Sequence, residues 1–507
     1  MTERTTPTPG PIPAASAPRS PEAAAPEALA RAGSAPPASE TSASGTPALE
    51  VAASGTPASG TSALEVAASE APARETPALE AAAPKASAQR TPAPEAPAPR
   101  DSLSRGMVLL LAVACGVAVG NIYFPQAVSP LVASGLDVSG DTAALVVTAA
   151  QFGYALGIFF LVPLGDRVPH RTLIATLFAL SGAGLLAASA APALPPLLGA
   201  SVLVGVTTVV APVVAPMAAG LVPAERRGAV TGTLLSGSIG GMLLSRAFGG
   251  ALGEWLGWRA PYLVTAVVAL LIGAVLARSL PRTVPTSSQR YPALLAESLR
   301  LLRTEPLLRL SCFYQATAFA AFQALWTGVA LFLTSGTYGL GASAVGALAL
   351  VNAGTMLATP FAGRQIDRRG PDAVNAVCLV AVVASAGVLA LGGLGGVAGL
   401  VGLALGTLLL DVAMQSGMVA NQVRIFALSG EARSRLNTAY MTCAFIGGAA
   451  GSSLGALAYA TLGWAGVCGW VAVLGVVSAP VAVRRGWVRT GPRGGTGRPG
   501  HQGHCAD

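Results

Sequence analysis

From Gly106 onward long apolar runs alternate with short polar breaks. Each run is close to the ~20 residues that an α-helix needs to cross a hydrocarbon layer, at ~1.5 Å of rise per residue. Twelve helices are predicted, over 106–132, 141–163, 171–190, 194–221, 227–252, 258–279, 307–334, 340–362, 372–391, 395–423, 434–460 and 463–483. The breaks hold the charge. After the second run lies VPLGDRVPHRTLI, Val162 to Ile174, and after the eighth lies GRQIDRRGPDAV, Gly363 to Val374. A charged hinge at matching positions of two six-helix sets is the mark of internal duplication.

The expected organisation is a 1–104 tail, a first half over 105–280, a linker over 281–306, a second half over 307–484 and a 485–507 tail. The first tail is built of Ala, Pro, Ser, Thr and Glu, with ALEVAAS at Ala48 and Ala63 and ALEAAA at Ala78. Such a segment cannot bury enough apolar surface to offset its ordering entropy, so disorder is expected. It lacks the basic and then apolar order of a secretory signal.

Composition excludes a soluble domain: 52% of the 507 residues are hydrophobic, 11% are charged and the mean hydropathy is +0.61. The formal charge of +8 comes from arginines outside the first tail. Arg100, Arg105, Arg167, Arg171, Arg226, Arg227, the linker arginines, Arg364, Arg368, Arg369, Arg424, Arg433, Arg435, Arg484 and Arg485 fall in alternate connections. Asp137, Asp141, Glu254 and a lone Arg259 mark the others. The positive-inside rule then puts both termini in the cytoplasm, in a multi-pass protein of the cell (inner) membrane. This is an orientation signal, not a nucleic-acid footprint.

Lys85 is the single lysine and lies in the tail, which excludes a phosphate-cradling GxxxxGK[ST] loop and with it ATP as a partner. The six cysteines are scattered, without CxxC spacing, and read as packing residues. His501 and His504 have no further ligands in view, so no metal and no cofactor is expected. No HExxH and no cluster of His and acids at membrane depth occurs, and no enzyme is expected.

Asp411 is the one acid deep in an apolar run. A carboxylate there costs ~2.5–3.5 kcal/mol on insertion scales, so it either faces a water-filled cavity or carries a proton, or it serves as a structural hydrogen-bonding group. Asp411, Gln415, Met418 and Gln422 share one helical face. Gln315, Phe319, Phe322, Gln323 and Trp326 form a second such stripe, suited to an amphipathic ligand or to packing. Asn121, Tyr123 and Gln126 surround Pro125, a candidate helix break, and read as substrate contacts or interhelical bonds. Arg246 is read either as snorkelling to the headgroups or pairing with Glu254, or as an anion-binding cavity residue. Gln151, Tyr154, Asn352, Asn437 and Tyr440 read as interhelical hydrogen-bonding groups.

This arrangement resembles the major facilitator superfamily over essentially all of 105–484. The family's hinge signature, G-x-x-x-D-R-x-G-R-R, is matched by Asp166, Arg167 and Arg171 in the first copy and by Gly363, Asp367, Arg368 and Gly370 in the second. The resemblance implies an all-α membrane fold of two six-helix halves and a hinge that latches neighbouring helix ends, although the charges could also only mark orientation. The exporters' fifth-helix pattern, G-x8-G-x3-G-P-x2-G-G, is matched by Gly232, Gly241, Gly249 and Gly250, with Ser245 and Arg246 in place of Gly-Pro. Gly237 with Gly241, and Gly447 with Gly451 and Gly455, form small-xxx-small faces for close helix packing.

NIYFPQ at Asn121, GWR at Gly257, LLLDVAMQSGMVANQ at Leu408 and SRLNTAYM at Ser434 resemble a bacterial branch related to sugar and drug exporters. That resemblance implies a monomeric carrier in the lipid bilayer that moves a small-molecule substrate outward in exchange for protons. The alternatives are uptake or facilitated diffusion of a sugar or metabolite, and a non-transporting sensor or scaffold.

Overall fold

A computed structural model describes residues 103–281, 283, 289–429 and 432–490. The expected 1–104 tail lies almost wholly outside these residues, as do His501, His504 and Cys505. All regular structure among the described residues is helical. Ten stretches are long and apolar enough to span a membrane, and a shorter one covers Ala342–Gly354. Two of the helical segments turn corners inside, at Gly370 and at Gly463. Divided there, the chain makes the twelve crossings that hydropathy predicts.

The first six are α1 (Arg105–Leu136), α2 (Gly140–Leu161), α3 (His170–Ser189), α4 (Leu194–Gly220), α5 (Ala224–Leu256) and α6 (Arg259–Ser279). A linker helix, Tyr291–Thr304, follows. The second six are α7 (Pro306–Leu333), α8 (342–369, through a tight turn at Asn352–Gly354), α9 (371–390), α10 (Gly396–Phe426), α11 (433–462) and α12 (464–490). The helix break expected at Pro125 does not occur: α1 runs unbroken through Pro125 and Pro130.

Duplication is visible in a detail. LGW occurs at Leu256–Trp258 and again at Leu462–Trp464, and in both places the glycine turns one helix into the next with a positive φ, 84° and 63°. Only glycine adopts these values without strain. Both tryptophans are buried at the corner, and the Trp464 Nε1–H donates to the Leu389 carbonyl at 2.8 Å.

Within each half, equivalent helices touch through small residues. A Cβ at Gly241 would lie 2.1 Å from the Gly116 carbonyl oxygen, so α1 and α5 meet backbone to backbone. Gly447, Gly451 and Gly455 of α11 meet Ala316, Ala320 and Ala324 of α7 in the same way. Gly249 faces Phe124, and Gly250 faces the Ala342 carbonyl of the other half. Gly232 departs from the expectation, because it is exposed with open space around it and packs against nothing. It lies near the start of α5.

The halves meet through two equivalent pairs, α2 with α11 and α5 with α8. Thr148 and Ser453 hydroxyls are 3.0 Å apart across the first pair. Across the second, the Ser343 N–H donates to Glu254 Oε2 at 2.9 Å, and Gly346 sits on Ala247. The α5–α8 contacts shut the end of the bundle away from the charged hinges.

Candidate functional site

A cavity of about 410 Å³ lies between the halves, walled by residues of α1, α2, α4, α5, α7, α10 and α11. It extends from Tyr123 toward the hinge-side helix ends, where Val162 and Phe426 line it. Met242, Met414, Met418 and Met441 with Phe319 and Phe445 give it a soft apolar wall. Gln315, Gln415, Gln422, Asn437 and Thr438 supply hydrogen-bonding groups, and no charged side chain lines it. Among the expected contacts, Tyr123, Gln315, Gln415 and Gln422 are therefore in the wall, and Gln315 accepts a hydrogen bond from the Tyr440 hydroxyl at 3.0 Å.

Behind Tyr123, toward the shut end, the remaining candidates other than Asn121 form a sealed cluster. Arg246 is completely buried, with its guanidinium carbon 4.2 Å from the Trp326 ring centre, 5.0 Å from Tyr123 and 5.5 Å from Phe322. Its Nε donates to Gln126 Oε1 at 2.9 Å, and Gln126 Nε2 donates to Gln323 Oε1 at 3.2 Å. The Trp326 indole N–H donates to Asp411 Oδ1 at 3.2 Å. One indole thus touches both the buried cation and the buried carboxylate, which is 2% exposed. Arg246 Nη1 and Nη2 have no acceptor among the described residues.

These positions correct two expectations. Arg246 does not snorkel and does not meet Glu254, which is engaged with Ser343. It lies ten residues before the end of α5, ~15 Å at helical rise and so about half the hydrocarbon thickness from that end. Asn121 is neither in the wall nor in the cluster: its amide donates to Ser181 at 3.5 Å, a bond between helices of one half.

The two hinges differ. Asp166 is half-buried and faces Arg435 of α11 and His170, whereas Arg167 is exposed and Arg171 donates through Nε to the Ala277 carbonyl. Arg435 also pairs with Glu297 of the linker helix at 2.7 Å. In the second copy Asp367 and Arg368 are exposed and make no ion pair among the described residues, and a Cβ at Gly363 would meet nothing within 4 Å there. The acid that is engaged there is Asp372, paired with Arg424 of α10. Arg424 Nη1 also reaches Ser311 and Asn421, each at 3.4 Å, and Asn421 accepts from Asn375 at 3.1 Å. Sequence reasoning missed this group because Arg424 reads as an orientation charge and Asp372 stands where the hinge signature has its last Arg.

Among the described residues no three His, Cys, Asp or Glu side chains come together as a metal group. What the arrangement offers is a greasy, adaptable chamber opening toward the arginine-rich end, a sealed opposite end, and one acid and one base at mid-span between two duplicated halves.

The family profile described as Major Facilitator Superfamily matches residues 109–423, and the chain belongs to that family. It is therefore a multi-pass membrane transporter of small molecules rather than an enzyme. The transporter YgaY of Escherichia coli K12 is 33% identical over 366 residues, spanning 72% of this chain and 92% of that protein. A chloramphenicol resistance protein of Streptomyces lividans is 32% identical over 272 residues, 53% of this chain and 68% of its own length. The fold is similar to the solved structure of the nucleoside transporter NupG, with a TM-score of 0.61 and 13% identity over 75% of this chain and 98% of that one.

Proposed function

We propose that the protein is a proton-coupled exporter of a small amphipathic organic compound, with Asp411 as the group that gains and loses the proton. The observation carrying this reading is the position of Asp411, an acid at mid-span in the sealed cluster one helical turn beyond the cavity wall formed by Met414 and Gln415. An acid held there at such a cost serves transport more readily than packing. The uncharged wall of thioethers, aromatic rings and amides suits a compound with an apolar body and a few hydrogen-bonding groups. The likeness to a chloramphenicol resistance protein supports the outward direction.

In this reading the arginine-rich end faces the cytoplasm, with both termini, and the carrier works as a monomer in the bacterial inner membrane. Tyr123, Gln315, Gln415 and Gln422 contact the substrate from the wall, and the first hinge, through Asp166, latches helix ends when the cytoplasmic side closes. The substrate enters from the cytoplasmic side, the halves rock about the α2–α11 and α5–α8 contacts, and a proton travels inward on the return.

Sealed inside-out vesicles with a preset pH gradient test the reading. A panel of drugs and sugars is added, and proton flux is followed for wild type and Asp411→Asn. Compound-triggered proton release in the wild type alone is expected. Equal movement of a compound by both proteins with the gradient untouched would exclude proton coupling and favour facilitated diffusion.

A further inference from the structure

The α1–α5 and α7–α11 pairs are built to one plan. Gly237 sits on Ala112 and Gly241 on Gly116 in the first, and Gly447 sits on Ala316 and Gly451 on Ala320 in the second. Matching these contacts carries α1 onto α7 by 204 residues, Ala112 to Ala316, and α5 onto α11 by 210, Gly237 to Gly447. Nearer the hinge end a groove of about 290 Å³ opens between α1 and α5. One bank holds Arg105, Val108 and Leu109, and the other holds Arg226, Ala229 and Val230. Their counterparts on α7 and α11 are Arg309, Cys312, Phe313, Leu436, Ala439 and Tyr440.

In the second half that place is taken. Leu301 and Leu302 of the linker helix pack on the cluster that holds Cys312, Leu436, Ala439 and Tyr440. Arg309 donates to the Arg303 carbonyl, and Glu297 pairs with Arg435. An apolar body thus covers the apolar floor, and an acid meets an arginine at the rim. In the first half the place is open: Arg105 and Arg226 are exposed, make no ion pair among the described residues, and no acid lines the groove. The stretch that precedes α1 as the linker helix precedes α7, residues 87–100, has four prolines and no leucine, isoleucine, valine or aromatic residue. Proline breaks a helix and alanine covers little, so this stretch cannot supply the same cover.

We propose that this groove binds an anionic phospholipid of the hinge-side leaflet, which does for α1 and α5 what the linker helix does for α7 and α11. Its phosphate bridges Arg105 and Arg226, and its acyl chain lies on Val108, Leu109, Ala229 and Val230. Both arginines stand in the first turn of their helices, the level at which a spanning helix meets the headgroups, and the apolar positions lie deeper. Guanidinium groups bind phosphate through paired N–H donors. Two of them with no acid lining the groove favour a net negative headgroup over a zwitterionic one. The groove also backs onto the chamber: Thr231, Leu234, Leu235 and Ser238 of α5 line the cavity, so the lipid supports one cavity wall from behind.

Photo-crosslinking of the full chain in phosphatidylcholine nanodiscs tests this. Trace phosphatidylglycerol or phosphatidylcholine, each with the same diazirine-bearing acyl chain, is added, and labelled peptides are mapped by mass spectrometry. Labelling of the exposed positions Leu394, Val397 and Val401 normalises each sample. Phosphatidylglycerol is expected to label 105–109 and 226–233 above phosphatidylcholine, while 309–313 and 436–443, covered by the linker helix, show no such preference. Arg105→Gln and Arg226→Gln are each expected to cut the preference about fivefold. Ala229→Trp, which fills the groove and keeps the charges, is expected to abolish the labelling. Arg227→Gln, exposed but outside the groove, is expected to change nothing. The proposal is overturned if both lipids label the groove alike, or if the two arginine variants keep the wild-type preference. It is also overturned if Arg227→Gln costs as much as Arg226→Gln, as a diffuse surface charge would, or if millimolar inorganic phosphate displaces the lipid, which would make the site one for the free anion.

Discussion

Arg424 and Asp372 belong to the same six-helix half, whereas Arg246 and Asp411 belong to opposite halves. The first pair is in direct contact, with side chains 6% and 15% exposed, and Arg424 Nη1 also reaches the Asn421 amide oxygen and the Ser311 hydroxyl. The second is held apart by an indole, and its guanidinium keeps two nitrogens without acceptors. The difference follows from where each pair sits: within one half the cation and acid bond directly, whereas the cation and acid from opposite halves share one indole between them.

Breaking each pair should therefore give different readouts. Arg424→Ala removes the cation bonded to Asp372 and Asn421 and is expected to destabilise the second half by about 3–5 kcal/mol, seen as a lower midpoint in thermal unfolding in detergent. Replacing both members with apolar residues, Arg424→Met with Asp372→Leu, should recover most of that loss. Failure to recover would mean that the pair does more than fill space. Glu254→Ala removes the side chain that caps the start of α8 from across the interface. Its expected cost, about 1 kcal/mol, should leave the unfolding midpoint in place and appear as several-fold faster hydrogen–deuterium exchange at the shut end. Asp367→Asn touches an exposed acid without an ion pair among the described residues and should change stability by less than about 0.5 kcal/mol and leave transport unchanged. A large transport loss there would show that the second hinge latches in another conformation.

The twelve crossings were legible because a membrane span needs only length and hydropathy, and the corners at Gly370 and Gly463 lie within two residues of predicted breaks. Asp411 was legible for the same reason, as a lone acid in an apolar run. Arg246 was noticed but misplaced, because hydropathy ends α5 near residue 252 while the helix continues to Leu256. Those added residues move it from the headgroup margin to mid-span. The Asp372–Arg424–Asn421–Asn375 group was not legible, since helix ends distant in sequence meet only through tertiary packing. Two signals were there to be read: the LGW repeat before the last helix of each half, and the Gly116–Gly120 spacing on α1 that receives Gly237, Gly241 and Ser245.

Four of the eight methionines stand in the wall of the cavity. Thioether sulfur gives up electrons readily, so the chamber that handles organic compounds is also the part of the protein that oxidants alter most directly. Each sulfoxide would add a strong acceptor and a fixed chirality to a surface that had neither. An oxidised carrier would keep its helices and its seal while its preference moved toward more polar compounds, and methionine sulfoxide reductases would restore the original taste.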